Sequence, residues 1–204
     1  AYVEMLRAHY RLPIHIIPKR TLLNVTPALI SRCKANYVET KHDMTFLMYD
    51  LDVPSVLSRL QKIPGAILLC SNPCVELWLL LHYTDQRAEI GSADCVSKLS
   101  GYIKQYKKGK LSIEDKLSLM DNVTIASKRA KKLSPYKNPS TTIYELIEEL
   151  DKLKGKNYRL ESAFFIYTAD INLFRYSSIF LPHIANTVYS QLELVMYFPH
   201  SIYY

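Results

Sequence analysis

"MTFLMYDLDV", residues 44–53, is a run of strand-forming side chains that stops on two carboxylates. Thr45 to Tyr49 suit a buried strand, whereas Asp50 and Asp52 carry charges that are costly to bury unpaired. Residues two apart in an extended chain project to one face, so these two aspartates converge. Immediately downstream, "PSVLSRLQKI" (54–63) places apolar residues at 56, 57, 60 and 63 and predicts an amphipathic helix. "GAILLC" (65–70) is a continuous apolar run typical of a parallel strand covered on both faces. "SNPCVELWLLLHY" (71–83) begins with Asn72 as a cap and Pro73 at the first helical position. It is apolar nearly all round, which predicts a buried helix. Strands alternating with helices predict an α/β fold with a mostly parallel sheet flanked by helices.

The flanks extend this pattern. Residues 2–10 read as a helix and "LPIHII" (12–17) as a short strand, with Pro13 favouring an edge. "TPALISRCKANYVET" (26–40) reads as a helix capped by Thr26. Residues 96–137 are helical and basic in character. "STTIYELIEELDKLKG" (140–155) reads as a final helix, with Thr142 and Glu145 at capping-box spacing and Gly155 closing it. After Gly155 the chain is rich in aromatics and poor in charge, shows no clear period, and fits either a cap over the sheet or a tail. The expected organisation is an α/β core over 1–95, a basic helical C-terminal extension over 96–155 and an aromatic-rich tail over 156–204.

With 204 residues, 49% hydrophobic and 22% charged, the chain has the size and composition of one globular domain with room for an appendage. Its net charge of +7 is local: residues 104–137 hold ten Lys/Arg against Glu114, Asp115 and Asp121, an excess equal to that of the whole chain. Tyr102, Tyr106 and Tyr136 interleave with these cations. That clustering predicts a nucleic-acid partner, with Lys104, Lys107, Lys108, Lys110, Lys128, Arg129, Lys131 and Lys132 as phosphate contacts. The competing reading is a solvated helix face. Cys33, Cys70, Cys74 and Cys95 show neither a CxxC pair nor zinc spacing, which predicts free thiols in a reducing cytoplasm. No stretch of 18 apolar residues occurs, so no membrane span is expected. "AYVEMLRAHYR" reads as a helix already under way, and further sequence is expected upstream.

In open parallel sheets, ligands bind beyond the carboxyl ends of the strands. Asp50 and Asp52 at such an end match a hard divalent cation, Mg²⁺ or Mn²⁺, which takes oxygen ligands. Glu76 opens the helix after the next apolar strand and joins the pair if strands 45–49 and 66–70 are neighbours. Simpler roles exist for each: Asp50 as a helix cap, Asp52 as a solvated loop residue, Glu76 as a complement to the helix dipole. His82 lies six residues beyond Glu76, on a different face of the helix, and reads as a buried structural histidine. Trp78 reads as core.

"MYDLDV", "SNPCVELWLLLHY", "YIKQYKKGK" and "ASKRAKKL…NPSTTIYELIEEL" together resemble RloB-like (AbiLii-type) proteins in order and spacing, from about residue 2 to residue 150, with the SNP-x-x-E-L-W block the most specific part. The resemblance implies a Toprim-like α/β fold, like that of topoisomerases, primases and OLD-family nucleases. It also implies bacterial anti-phage defence of the abortive-infection or restriction-linked kind, a metal-dependent nuclease activity and, for some members, an ATPase partner encoded nearby. Carried onto this chain, it puts the metal ligands on Asp50 and Asp52. The supporting block is Ser71, Asn72, Pro73, Glu76 and Trp78, with His82 close behind and Glu76 the active-site member. The family opens on a strand ending in an E-G-x-x-T-E segment, whose first glutamate would act as general acid or base. No such segment occurs here, and Glu4 on the opening helix is no substitute. Crippled cleavage with retained Mg²⁺ and nucleic-acid binding is the expected consequence.

Two other functions fit parts of the pattern. A non-catalytic module that binds nucleic acid or an ATPase partner needs no such glutamate. A haloacid-dehalogenase-like phosphatase would use Asp50 as nucleophile and Asp52 as acid/base within "FLMYDLDV", with "ILLCSN" as its second motif. Pro54 and the absence of a later strand ending in an acidic pair count against it. Oligomeric state, a homo-oligomer included, is left open.

Overall fold

A five-stranded mixed sheet organises the protein, in the order β1-β5-β2-β3-β4. The computed structural model describes residues 1–11, 14–18, 25–35, 37, 43–53, 55–154 and 164–168. Its strands are β1 (Ile14–Pro18), β2 (Met44–Asp50), β3 (Ala66–Asn72), β4 (Ser140–Thr141) and β5 (Phe164–Thr168). The described helices are α1 (Tyr2–Tyr10), α2 (Pro27–Lys34), α3 (Ser55–Leu60), α4 (Glu76–Leu81), α5 (Ser92–Ser100), α6 (Ile113–Ala130) and α7 (Tyr144–Lys154).

β2 and β3 are parallel neighbours, in a register running from Thr45 opposite Ala66 to Asp50 opposite Ser71. The period of two then divides β2 between two cores. Phe46 and Met48 join Leu69, Trp78 and apolar residues of α1, α5, α6 and α7 on one face. Leu47 and Tyr49 join Cys70, Ile30 of α2, and Val56 and Leu60 of α3 on the other. Each such fully covered large side chain contributes roughly 1.5–3 kcal/mol by leaving water. Helices α5 and α6, each with balanced charges because the surplus lysines lie in the segments between and after them, bury their apolar sides in the same core as α4, with Cys95, Leu99, Leu119 and Ala126 inaccessible to solvent.

The expected strands 45–49 and 65–70 are present and adjacent, and α4 is buried all round as its composition implies. Thr26 caps α2 as expected, its Oγ1 accepting from the Leu29 N–H at 3.2 Å. Other local readings are corrected. Asn72 does not cap α4. It remains in β3, and its side-chain amide donates to the Tyr136 carbonyl at 3.0 Å, while the helix starts at Glu76 with Pro73 in the preceding turn. Thr142 and Glu145 form no capping box. Thr142 Oγ1 instead donates to the Leu68 carbonyl at 2.6 Å and accepts from the Cys70 N–H at 2.9 Å, which pins the start of α7 to β3. The capping box of this region belongs to α6, where Ser112 and Asp115 satisfy each other's backbone amides. Ser140 and Thr141, read as helix, pair antiparallel with the end of β3.

The aromatic-rich segment yields the largest surprise. Phe164–Thr168 is neither cap nor tail but a strand inside the sheet, parallel to β1 on one side and β2 on the other. Pro13, Pro54, Gly155 and the remainder of 156–204 lie outside the described residues. Among the described residues, no helix is long and apolar enough to cross a membrane.

Candidate active site

The parallel register of β2 and β3 brings Asp50 and the β3–α4 turn to the same end of the sheet. Asp50 Oδ1 accepts the Val75 N–H at 2.8 Å. It thus caps α4, a helix 25 residues away, rather than α3, the next helix in the chain. Its other oxygen, Oδ2, lies 3.9 Å from Lys108 Nζ. Asp50 is only 22% exposed at its side chain. Burial is the main cause that raises its pKa from an ordinary 3.8 to about 7; Lys108 and the Val75 amide pull it down, while Glu76 and Asp52 push it up. The carboxyl group is under-compensated despite its ammonium neighbour.

Glu76, the first residue of α4, is completely buried. Its Oε1 accepts the Tyr106 hydroxyl at 3.1 Å, and its Oε2 is enclosed with no hydrogen-bond partner of ordinary length among the described residues, the Cys74 thiol lying near the carboxyl group. A buried carboxylate oxygen left unsatisfied is costly and marks a site that calls for a donor or a cation. Asp52, by contrast, is exposed just past the strand end.

One stretch of chain serves both the partly buried Asp50 and the fully buried Glu76. Lys107 and Lys110 form an isolated antiparallel bridge, closed by the Lys110 N–H on the Lys107 carbonyl at 2.8 Å. Gly109 between them has φ +80°, a left-handed conformation that glycine adopts without strain. The turn holds Lys108 over Asp50, and Tyr106 immediately before it reaches Glu76. Nothing in the spacing of residues 50, 76, 106 and 108 reveals this meeting, because it is made by tertiary packing alone.

The donor chemistry fits a hard cation: carboxylate oxygens at a strand end, one of them unsatisfied. Asp50, Asp52 and Glu76 are the residues that could hold it. In the arrangement described, no group of three or more His, Cys, Asp or Glu side chains among the described residues is gathered closely enough to enclose an ion. Of the other two carboxylates, Glu76 acts on Asp50 more strongly than Asp52 does.

The supporting residues sort by contact. Ser71 shares a hydrogen bond with Thr141 at 2.9 Å across the β3–β4 ladder, so its hydroxyl is structural. Trp78 is fully buried and packs edge-on against Tyr2 and His82. His82 Nδ1 donates to the Trp78 carbonyl at 2.8 Å, which leaves Nε2 as the acceptor facing the Tyr2 hydroxyl at 3.5 Å. Burial lowers the His82 pKa to about 4, so the ring is neutral near pH 7. Cys74 lies against Cys95 and near Glu76. Its hydrogen bond to Cys95, then burial, holds the thiol in its protonated form.

The basic residues also divide. Lys104, Lys107, Lys108, Lys110, Lys128, Lys131 and Lys132 are exposed. Lys131 pairs with Glu148 and lies 5.7 Å from the centre of the Tyr144 ring. Arg129 is half-buried, and its Nη1 donates to the Leu81 carbonyl at 2.6 Å, so it closes the C-terminal end of α4. This structural role was invisible in the sequence, where Arg129 reads as one more phosphate contact. Tyr102 is exposed with one face stacked on Tyr83 at 5.1 Å, whereas Tyr106 and Tyr136 are partly buried.

A mixed α/β protein with one carboxyl group at the end of a parallel strand and a second, buried one at the start of the helix after the neighbouring strand is the class that the fold and this site define. A family model described as RloB-like protein matches residues 1–150, and the chain belongs to the RloB-like family. No curated protein and no solved structure matches it. The matched region ends before β5, so the strand between β1 and β2 comes from outside it.

Proposed function

We propose that this chain is a Toprim-like, Mg²⁺-dependent phosphodiesterase acting on nucleic acid, in the anti-phage defence setting that the family resemblance implies. The observation that carries this reading is the partly buried Asp50 beside the fully buried Glu76 at one sheet end, with Glu76 Oε2 lacking a hydrogen-bond partner of ordinary length among the described residues and the lysine-bearing turn 107–110 alongside. Asp50, Asp52 and Glu76 would hold Mg²⁺ or Mn²⁺, and the ion would polarise a phosphate oxygen or an attacking water. The chain's own part is to orient the carboxylates, through the Val75 N–H on Asp50 and the Tyr106 hydroxyl on Glu76. Lys104, Lys107 and Lys110, with Lys128 and Lys132 on and after α6, would neutralise the phosphate backbone. A cytoplasmic location and an ATPase partner belong to the same reading.

The test is cleavage of tRNA, single-stranded DNA and duplex DNA with Mg²⁺ or Mn²⁺, comparing the chain with its Asp50→Asn/Asp52→Asn variant. Metal-dependent cutting lost in the variant supports the nuclease. Unchanged cutting refutes it.

A second reading, a non-catalytic nucleic-acid-binding module, is favoured by one observation: the three carboxylates are not gathered around a common point among the described residues. It predicts salt-sensitive binding of the same substrates without turnover by either protein.

A further inference from the structure

The partly buried Asp50 at the end of β2 and the fully buried Glu76 at the start of α4 repel each other, and a nearby cation eases that repulsion. The cation present is a side chain of the protein itself. Lys108 Nζ stands 3.9 Å from Asp50 Oδ2, on the same turn whose Tyr106 hydroxyl occupies Glu76 Oε1. We propose that Lys108 is a built-in competitor for the divalent cation: its ammonium takes the cation's place on Asp50, and Mg²⁺ or Mn²⁺ binds only as that ammonium withdraws. The inference rests on the reading of Asp50 and Glu76 as cation ligands.

Several features make Lys108 displaceable rather than fixed. Its contact with Asp50 is long for an ion pair, and the side chain is 44% exposed, so water can take over solvation of the ammonium when that contact breaks. Lysine carries a compact charge on a flexible stem of four carbons, which allows the head to swing aside while the backbone stays put. The turn itself is held independently by the Lys107–Lys110 bridge. An ion held by Asp50 would compete with the ammonium that stands 3.9 Å from its Oδ2, because like charges strongly disfavour each other at close range. Once displaced, Lys108 lies on the same exposed turn as Lys107 and Lys110, where it can meet a phosphate.

Removing the Lys108 charge should therefore tighten divalent-ion binding, the reverse of what loss of a merely structural residue would do. The measurement is Mn²⁺ affinity by electron paramagnetic resonance of the free ion, at low salt and pH 8. Lys108→Met should bind Mn²⁺ about tenfold more tightly than the parent, given the strength of a neighbouring unit charge in a partly solvated site. Lys108→Arg, which keeps the charge, should stay near the parent value, as should Lys62→Met on the turn after α3. Asp50→Asn should lose binding. Equal or weaker binding by Lys108→Met, with Asp50→Asn still abolishing it, would overturn the competition and leave the cation site standing. Absence of Mn²⁺ binding by the parent and Lys108→Met alike would overturn the site and the inference with it.

Discussion

Asp50→Asn should make the protein more stable while removing its proposed function. The folded protein raises the Asp50 pKa from 3.8 to about 7. A carboxyl group with a raised folded pKa holds its proton more tightly in the native state. Its contribution is therefore fully present below pH 3.8 and is lost as pH rises through about 7. At 1.36 kcal/mol per pH unit, that loss is roughly 4 kcal/mol by pH 8 and about 1.5 kcal/mol at pH 5. Asparagine never ionises, and its carbonyl can still accept the Val75 N–H. Its one loss is attraction to Lys108, which is small for a pair exposed to this degree. Urea denaturation followed by the fluorescence of Trp78, the single tryptophan and a fully buried one, measures the difference directly. The variant should gain most at pH 8 and progressively less towards pH 4. A gap that stays constant between pH 5 and pH 8, or a variant less stable at pH 8, would refute the account of a strained, buried carboxylate.

His82 has the opposite sign: its folded pKa is lowered to about 4 from 6.5, so stability is present above pH 6.5 and roughly 3 kcal/mol of it is lost by pH 4. His82→Gln should flatten that slope in the same denaturation series, and an unchanged slope would exclude His82 as its source. Thr142→Val should cost about 1–3 kcal/mol, because the Cys70 N–H loses its acceptor inside the protein. Arg129→Met should lower the denaturation midpoint by freeing the Leu81 carbonyl, at about 1.5–3 kcal/mol. Lys128→Met should leave the midpoint unchanged and reduce the salt dependence of nucleic-acid binding, as read by fluorescence anisotropy across a salt titration.

Much of the architecture was legible because it is written in local periods. The continuous apolar runs at 45–49 and 65–70 encode strands covered on both faces, and the all-apolar 77–81 encodes a helix with no solvent face. Parallel neighbours follow from the intervening α3. From these alone Asp50 and Glu76 could be placed at one end of the sheet. The missed features are those that long-range packing decides. Asn72 and Thr142 have the chemistry of caps, yet long-range partners take their side chains: the Tyr136 carbonyl, in the segment before β4, takes the Asn72 amide, and the backbone of β3 takes the Thr142 hydroxyl. Lys108 and Tyr106 belong to a run of cations and tyrosines whose sequence says only that it is basic. Which of its members turn inward depends on the left-handed Gly109 and on how α5 is seated against α4.

β5 carries a consequence for synthesis on the ribosome. Its register joins Phe164 to Ile14 on one side and to Met44 on the other. β1 and β2 emerge long before the strand that lies between them. At ordinary translation speeds the interval from β2 to β5 is on the order of ten seconds, far longer than collapse of a nascent chain takes. During that interval β1 and the β1-facing edge of β2 offer unpaired backbone to any extended segment nearby. Helices α4 to α7, with the carboxylate-bearing end of β2 and β3, can assemble in that time, but β1 is joined to the rest of the sheet only when β5 arrives. Such a nascent chain invites strand exchange between neighbours on one polysome, and it leaves the docking of edge strand β1 as the last part of the sheet to be made.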